Sequence, residues 1–92
     1  MVIVYRTLVE EEVDWYTHDQ GVAEVIGRRS QIAYDQIEDF VKDQLYNEDM
    51  YEYLLDIAKK EKDERKAKEK VDEELKRMIL EAERELTRES IL

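Results

Sequence analysis

Val2 to Gly27 reads VIVYRTLVEEEVDWYTHDQGVAEVIG, and the choice between strand and helix in this stretch decides the fold class. Val2 to Val9 is rich in β-branched and aromatic residues, the composition of a pleated, half-buried strand. Glu10, Glu11 and Glu12 end it. Val13, Trp15 and Thr17 then alternate with Asp14 and Tyr16, the period-two pattern of a second strand. His18-Asp19-Gln20-Gly21 reads as a hairpin loop, with Gly21 available for a positive φ. Val22 to Ile26 forms a third strand, closed by Gly27. The expectation is an α+β chain: a small N-terminal antiparallel β-meander, one amphipathic helix and one long C-terminal helix. The alternative is a mainly α chain, in which Asp19 to Tyr46 make one helix and tolerate two internal glycines at about 1 kcal/mol each.

Downstream the pattern is helical. Arg28 and Arg29 follow Gly27, and Ser30 is a good N-cap. From there to Tyr46, Ala33, Tyr34, Ile37, Phe40, Val41 and Leu45 gather on one side at spacings of three and four. Asp35, Glu38, Asp39 and Asp43 gather on the other. Asn47 stops this helix and caps the next, with Glu48 and Asp49 where the N-terminal dipole favours negative charge.

Asn47 to Arg88 contains neither Gly nor Pro and reads as a single helix. Its first apolar stripe is Met50, Tyr53, Leu54, Ile57 and Ala58, with Glu48, Asp49, Glu52 and Asp56 on the reverse side. Its second is Val71, Leu75, Met78, Ile79, Ala82 and Leu86. Between them lies KKEKDERKAKEK, Lys59 to Lys70, where Ala67 alone is uncharged. Acid precedes base by four residues at Glu61–Arg65, Glu64–Lys68, Asp72–Lys76 and Glu73–Arg77, each pair adding about 0.2–0.5 kcal/mol to a helix. A continuous coiled coil would have to bury Glu61, Glu64 and Lys68, which is unfavourable. The two stripes are therefore expected to meet different partners. The first packs on an acidic α+β domain, residues 1–58. The second belongs to an extended helix, residues 59–92, continuous with that domain. It either self-associates, giving a homodimer, or folds back after a break that no Gly or Pro marks.

Ninety-two residues bound the chain to one small domain with a protruding segment. Cysteine is absent, which excludes disulfides and thiolate metal sites. No apolar run approaches the roughly 20 residues of a membrane span, and the acid at Glu10 to Glu12 is unlike a signal peptide. A soluble, cytoplasmic protein with no membrane partner is expected. The net charge is −10 and is unevenly placed. Met1 to Ile57 holds four basic and fourteen acidic residues, whereas Ala58 to Leu92 holds eleven of each. Five of the six tyrosines lie between Tyr16 and Tyr53, interleaved with the acid. Such a surface repels nucleic acid and attracts a basic partner, most strongly at low salt.

The residues carry no catalytic constellation and no metal or cofactor motif. His18 beside Asp19 is a lone pair of donors, and metal sites converge three or more. The carboxylates lie along solvated helix rows without a pocket to perturb them. Arg28-Arg29 is the one basic spot in the acidic part, suited to an ion pair with nearby carboxylates. Trp15, the largest apolar residue, is expected in the core.

The chain is thus expected to be a small non-enzymatic interaction protein that docks on a basic surface. The docking face would be Asp35, Glu38, Asp39, Asp43, Glu48, Asp49, Glu52 and Asp56, with aromatic contacts from Tyr16, Tyr46 and Tyr51. A sharper version is a nucleic-acid mimic that inhibits a nucleic-acid-binding protein. In charge and size alone the chain resembles the small acidic inhibitors common in viral counter-defence and mobile elements. The alternative is a coiled-coil-like adaptor that oligomerises through Val71, Leu75, Met78, Ile79, Ala82 and Leu86.

Overall fold

The computed structural model describes residues 2–27 and 32–91, with side chains over 5–27 and 32–88. Arg28, Arg29 and Ser30, read above as a basic spot and a cap, lie outside the described residues. The elements in order are α1 (Val2–Asp14), a π-helical turn (Trp15–Asp19), α2 (Gly21–Ile26), α3 (Tyr34–Leu45), α4 (Glu48–Lys59) and α5 (Glu64–Ile91). There is no strand among the described residues, so the α+β expectation is corrected to an all-α fold.

The correction begins with α1. Strand propensity made Val2 to Val9 look extended, but Tyr5, Val9, Val13 and Tyr16 recur at helical spacing across the glutamate run. They are 9%, 1%, 0% and 1% exposed. Burying each large apolar side chain contributes about 1.5–3 kcal/mol. The whole spread of β-propensities is only about 1 kcal/mol per residue, so the helical face wins. Glu10 and Glu11 face water, while Glu12 turns inward and meets Lys68 at 3.5 Å.

The hairpin also disappears. Trp15 to Asp19 continue α1 as a π-helical turn, with the backbone N–H of Gln20 bonded to the Trp15 carbonyl. The Thr17 hydroxyl donates to the Val13 carbonyl at 2.8 Å, a back-bond of the kind that bends helices. Gly21 takes no positive φ. Its role is close approach: a Cβ there would stand 2.6 Å from Tyr16 Cα and 2.5 Å from a Tyr16 ring carbon.

The single long helix from Asn47 is likewise overturned. The Asn47 side chain accepts from the Asp49 N–H at 2.9 Å and starts α4, which stops at Lys59. Asp63 then accepts from the Arg65 N–H at 3.0 Å and starts α5. An aspartate cap inside the charged segment makes the break without Gly or Pro. Glu64 and Lys68, which a continuous coiled coil would have buried, are exposed.

Folding back makes α5 the spine. Its 28 residues span about 42 Å, against a longest molecular dimension of 46 Å. Ala67, Val71, Leu75 and Ile79 are 0% exposed, and Ala82 is 4% exposed. They join one core cluster with Tyr5, Val9, Val13 and Tyr16 of the first segment, Val22 and Ile26 of α2, Ile37, Val41 and Leu45 of α3, and Leu54 and Ala58 of α4. A single core runs from residue 5 to residue 82, across the boundary expected at residue 58. α1 runs parallel to α5 at one fixed offset. Tyr5 Oη donates to the Glu61 carbonyl at 2.7 Å, Glu12 pairs with Lys68, and Tyr16 Oη donates to Asp72 Oδ1 at 2.5 Å. Each of these pairs is 56 residues apart.

Candidate functional site

Because α1 is parallel to α5 and α4 folds back against it, α1 and α4 lie antiparallel, and a groove of about 520 Å³ opens between them. Its lining is Arg6, Val9, Glu10 and Asp14 from α1, and Glu48, Tyr51, Glu52 and Leu55 from α4. Val9, Tyr51 and Leu55 give it an apolar floor. Glu10 and Asp14 form one wall and Glu48 and Glu52 the other, each pair one helical turn apart. Among the described residues Arg6 is the only cation in the lining, and it is paired with Glu10 at 3.4 Å. Burial raises the Tyr51 phenol above its ordinary pKa, and the neighbouring Tyr46, Asp14 and Glu10 push the same way. Tyr51 is therefore a neutral hydrogen-bonding group on the floor.

One end of the groove is fixed by Tyr46. Its hydroxyl donates to Asp14 Oδ1 at 3.2 Å, lies 2.9 Å from Thr17 Oγ1 and lies 2.5 Å from His18 Nε2. A phenol has one proton. That proton serves one acceptor at a time, and the direction of the short contact to His18 follows the imidazole tautomer. This arrangement, built on the π-helical turn, holds the Asp14 carboxylate at the groove's mouth.

The sequence-based docking residues divide among several places. Glu48 and Glu52 line the groove, as does Tyr51, and Tyr46 sits at its end, 43% exposed. Asp49 and Asp56 are also exposed on α4, and Asp56 pairs with Lys60 at 3.7 Å. Asp35, Asp39 and Asp43 form an exposed row on α3 that does not line the groove. Glu38, half-buried, pairs with Lys42 at 3.2 Å. Tyr16 is not a contact residue: it is buried and bonded to Asp72, and burial raises its pKa strongly. The expected self-association stripe is taken up inside the chain. Val71, Leu75, Ile79 and Ala82 are in the core, and Met78 and Leu86 pack half-buried against it.

Glu10 and Asp14 were missed from the sequence. Their spacing of four was the available signal, and a strand reading places residues four apart on one face without identifying a helix neighbour for them.

The two halves differ in how their charge is used. On α5 acid and base are mixed and several charges pair: Arg65 with Glu69 at 3.8 Å, Lys68 with Glu12, Lys76 with Asp72 at 3.2 Å, and Arg77 with both Glu74 and Glu81. Hydrogen bonding from Arg77 holds the Glu74 carboxyl below its usual range. By contrast Asp35, Asp39, Asp43, Glu48, Asp49 and Glu52 make no salt bridge among the described residues.

Among the described residues, no three His, Cys, Asp or Glu side chains cluster as a metal site, and no helix is long and apolar enough to cross a membrane. Fold and surface together define a small all-α protein with a segregated, uncompensated acidic face. Comparison with protein-family models, curated proteins and solved structures finds no match to this chain.

Proposed function

We propose that the chain is a non-enzymatic interaction protein whose acidic face, on α3, α4 and α1, docks on a basic surface of another protein. One observation carries this reading. Six exposed carboxylates on α3 and α4 make no salt bridge among the described residues, in a half of the chain where acid outnumbers base fourteen to four, while residues 58–92 hold eleven of each. Unmatched like charge destabilises a compact state through self-repulsion, and a basic partner relieves it. Tyr46 and Tyr51 add amphipathic contact area beside the carboxylates, the residue type favoured at protein interfaces. Inhibition of a nucleic-acid-binding protein is the sharper form, in which the Asp35, Asp39 and Asp43 row stands in for phosphates. The row repeats every about 6 Å along α3.

Affinity capture from a cell lysate at low and high salt tests the reading, with the triple variant Asp35→Lys, Asp39→Lys, Asp43→Lys and the pair Glu48→Lys, Glu52→Lys as controls. The expected result is a basic protein retained at low salt, released at high salt and lost with at least one set of reversals. Capture that both sets leave intact, or capture of acidic proteins only, overturns it.

A further inference from the structure

The groove between α1 and α4 is more selective than an acidic surface. Resting on the proposed docking function, we infer that it is the seat for a basic amphipathic helix of a partner protein: an apolar stripe on the floor, with Lys or Arg along both flanks.

The argument is one of matched chemistry and pitch. The half-buried Tyr51 and Leu55, over the buried Val9, favour apolar side chains, and about 520 Å³ accommodates several of them rather than a whole ligand fold. Each wall carries two carboxylates four residues apart, Glu10 and Asp14 on one side, Glu48 and Glu52 on the other. Their separation along the axis is about 6 Å, the rise between positions i and i+4 of a third helix laid in the groove. Cations at that spacing meet both walls in register. An extended segment has only two faces, so it cannot present an apolar row flanked on both sides by cations. Nucleic acid is repelled by the walls, and a neutral apolar ligand makes no use of them. The walls and floor sit on helices anchored in the core: Val9 is 1% exposed, and Asp14 is held by Tyr46. The occupant therefore meets a formed site, the mode in which an amphipathic helix lies in a groove.

Three synthetic peptides of equal length test this by NMR titration of the full chain: an amphipathic Leu/Lys helix, a Lys/Ser/Gly peptide of the same charge without an apolar stripe, and an amphipathic Leu/Glu helix. The first is expected to bind, with shifts confined to residues 6–14 and 48–55. Replacing Glu48→Gln and Glu52→Gln together is expected to weaken it about threefold to tenfold. Arg6→Gln, which removes the groove's only cation and frees Glu10, is expected to strengthen binding, an outcome that damage to the fold does not imitate. Equal affinity for the first two peptides with shifts spread over α3 overturns the groove while leaving acidic docking standing. No binding of either cationic peptide removes both. Concentration-dependent shifts at residues 6–14 and 48–55 of the protein alone assign the groove to a second copy and overturn the proposal.

Discussion

Leu75→Ala separates the two roles open to the α5 stripe. Leu75 is 0% exposed and sits in the core cluster with residues from α1 to α4. Truncating a buried leucine removes its transfer energy and leaves a cavity, together about 2–5 kcal/mol. A 92-residue domain holds about 5–14 kcal/mol in total. The variant therefore loses a large part of its stability. With a urea dependence of about 1–1.5 kcal/mol per molar, the midpoint moves down by about 1.5 M or more. In heat the shift is about 10 °C or more. Circular dichroism through urea and temperature reads both, and sedimentation velocity of the same samples reads the assembly state. The intramolecular core requires a destabilised protein whose sedimentation at native conditions matches that of the parent. A midpoint within about 0.3 M of the parent, accompanied by loss of a larger species, would show that the stripe faces another molecule and would refute the packing described above.

Asp63→Ala removes the cap that starts α5 and is expected to cost about 0.5–2 kcal/mol, read by thermal melting; an unchanged melt means the break between α4 and α5 is held by packing alone. Gly21→Ala tests close packing against propensity. Helix propensity alone predicts a gain of up to about 1 kcal/mol, whereas a Cβ against Tyr16 predicts a loss of about 1–3 kcal/mol, and a stabilised variant would contradict the contact. Glu12→Gln addresses pH. Burial raises the Glu12 carboxyl above the ordinary carboxylate range, more than the neighbouring Lys68 lowers it. Its contribution is therefore fully present below the unfolded value and is lost as pH rises through the folded one. The glutamine variant is expected to show a flatter stability profile above pH about 4.5 and no loss at neutral pH; a clear loss there would mean that the Lys68 pair outweighs the burial.

Several local features were legible in the residues. Asn47 caps a helix because its side chain reaches an N–H two positions on, a local interaction. The apolar face of α3 is legible because Ile37, Val41 and Leu45 repeat at helical spacing and are buried together. The segregation of charge follows from counting, and it carries into the exposed carboxylates of α3 and α4. Glu48, Tyr51 and Glu52 lie on α4 facing Glu10 and Asp14 of α1, a juxtaposition that requires knowing which helices are neighbours.

The sequence by itself determined the cap at Asn47, the apolar face of α3 and how the charge divides along the chain, because these rest on interactions within a few residues. Tertiary structure decided the rest. Val2 to Val9 is helical because burial of Tyr5, Val9, Val13 and Tyr16 against α5 outweighs strand propensities, and those contacts lie 56 residues away. The Asn47–Arg88 run bends at Asp63 because an unbroken helix leaves Val71, Leu75 and Ile79 in water, while the folded-back one buries all three. Both choices are made by apolar area removed from water across the chain, a quantity that no local window contains.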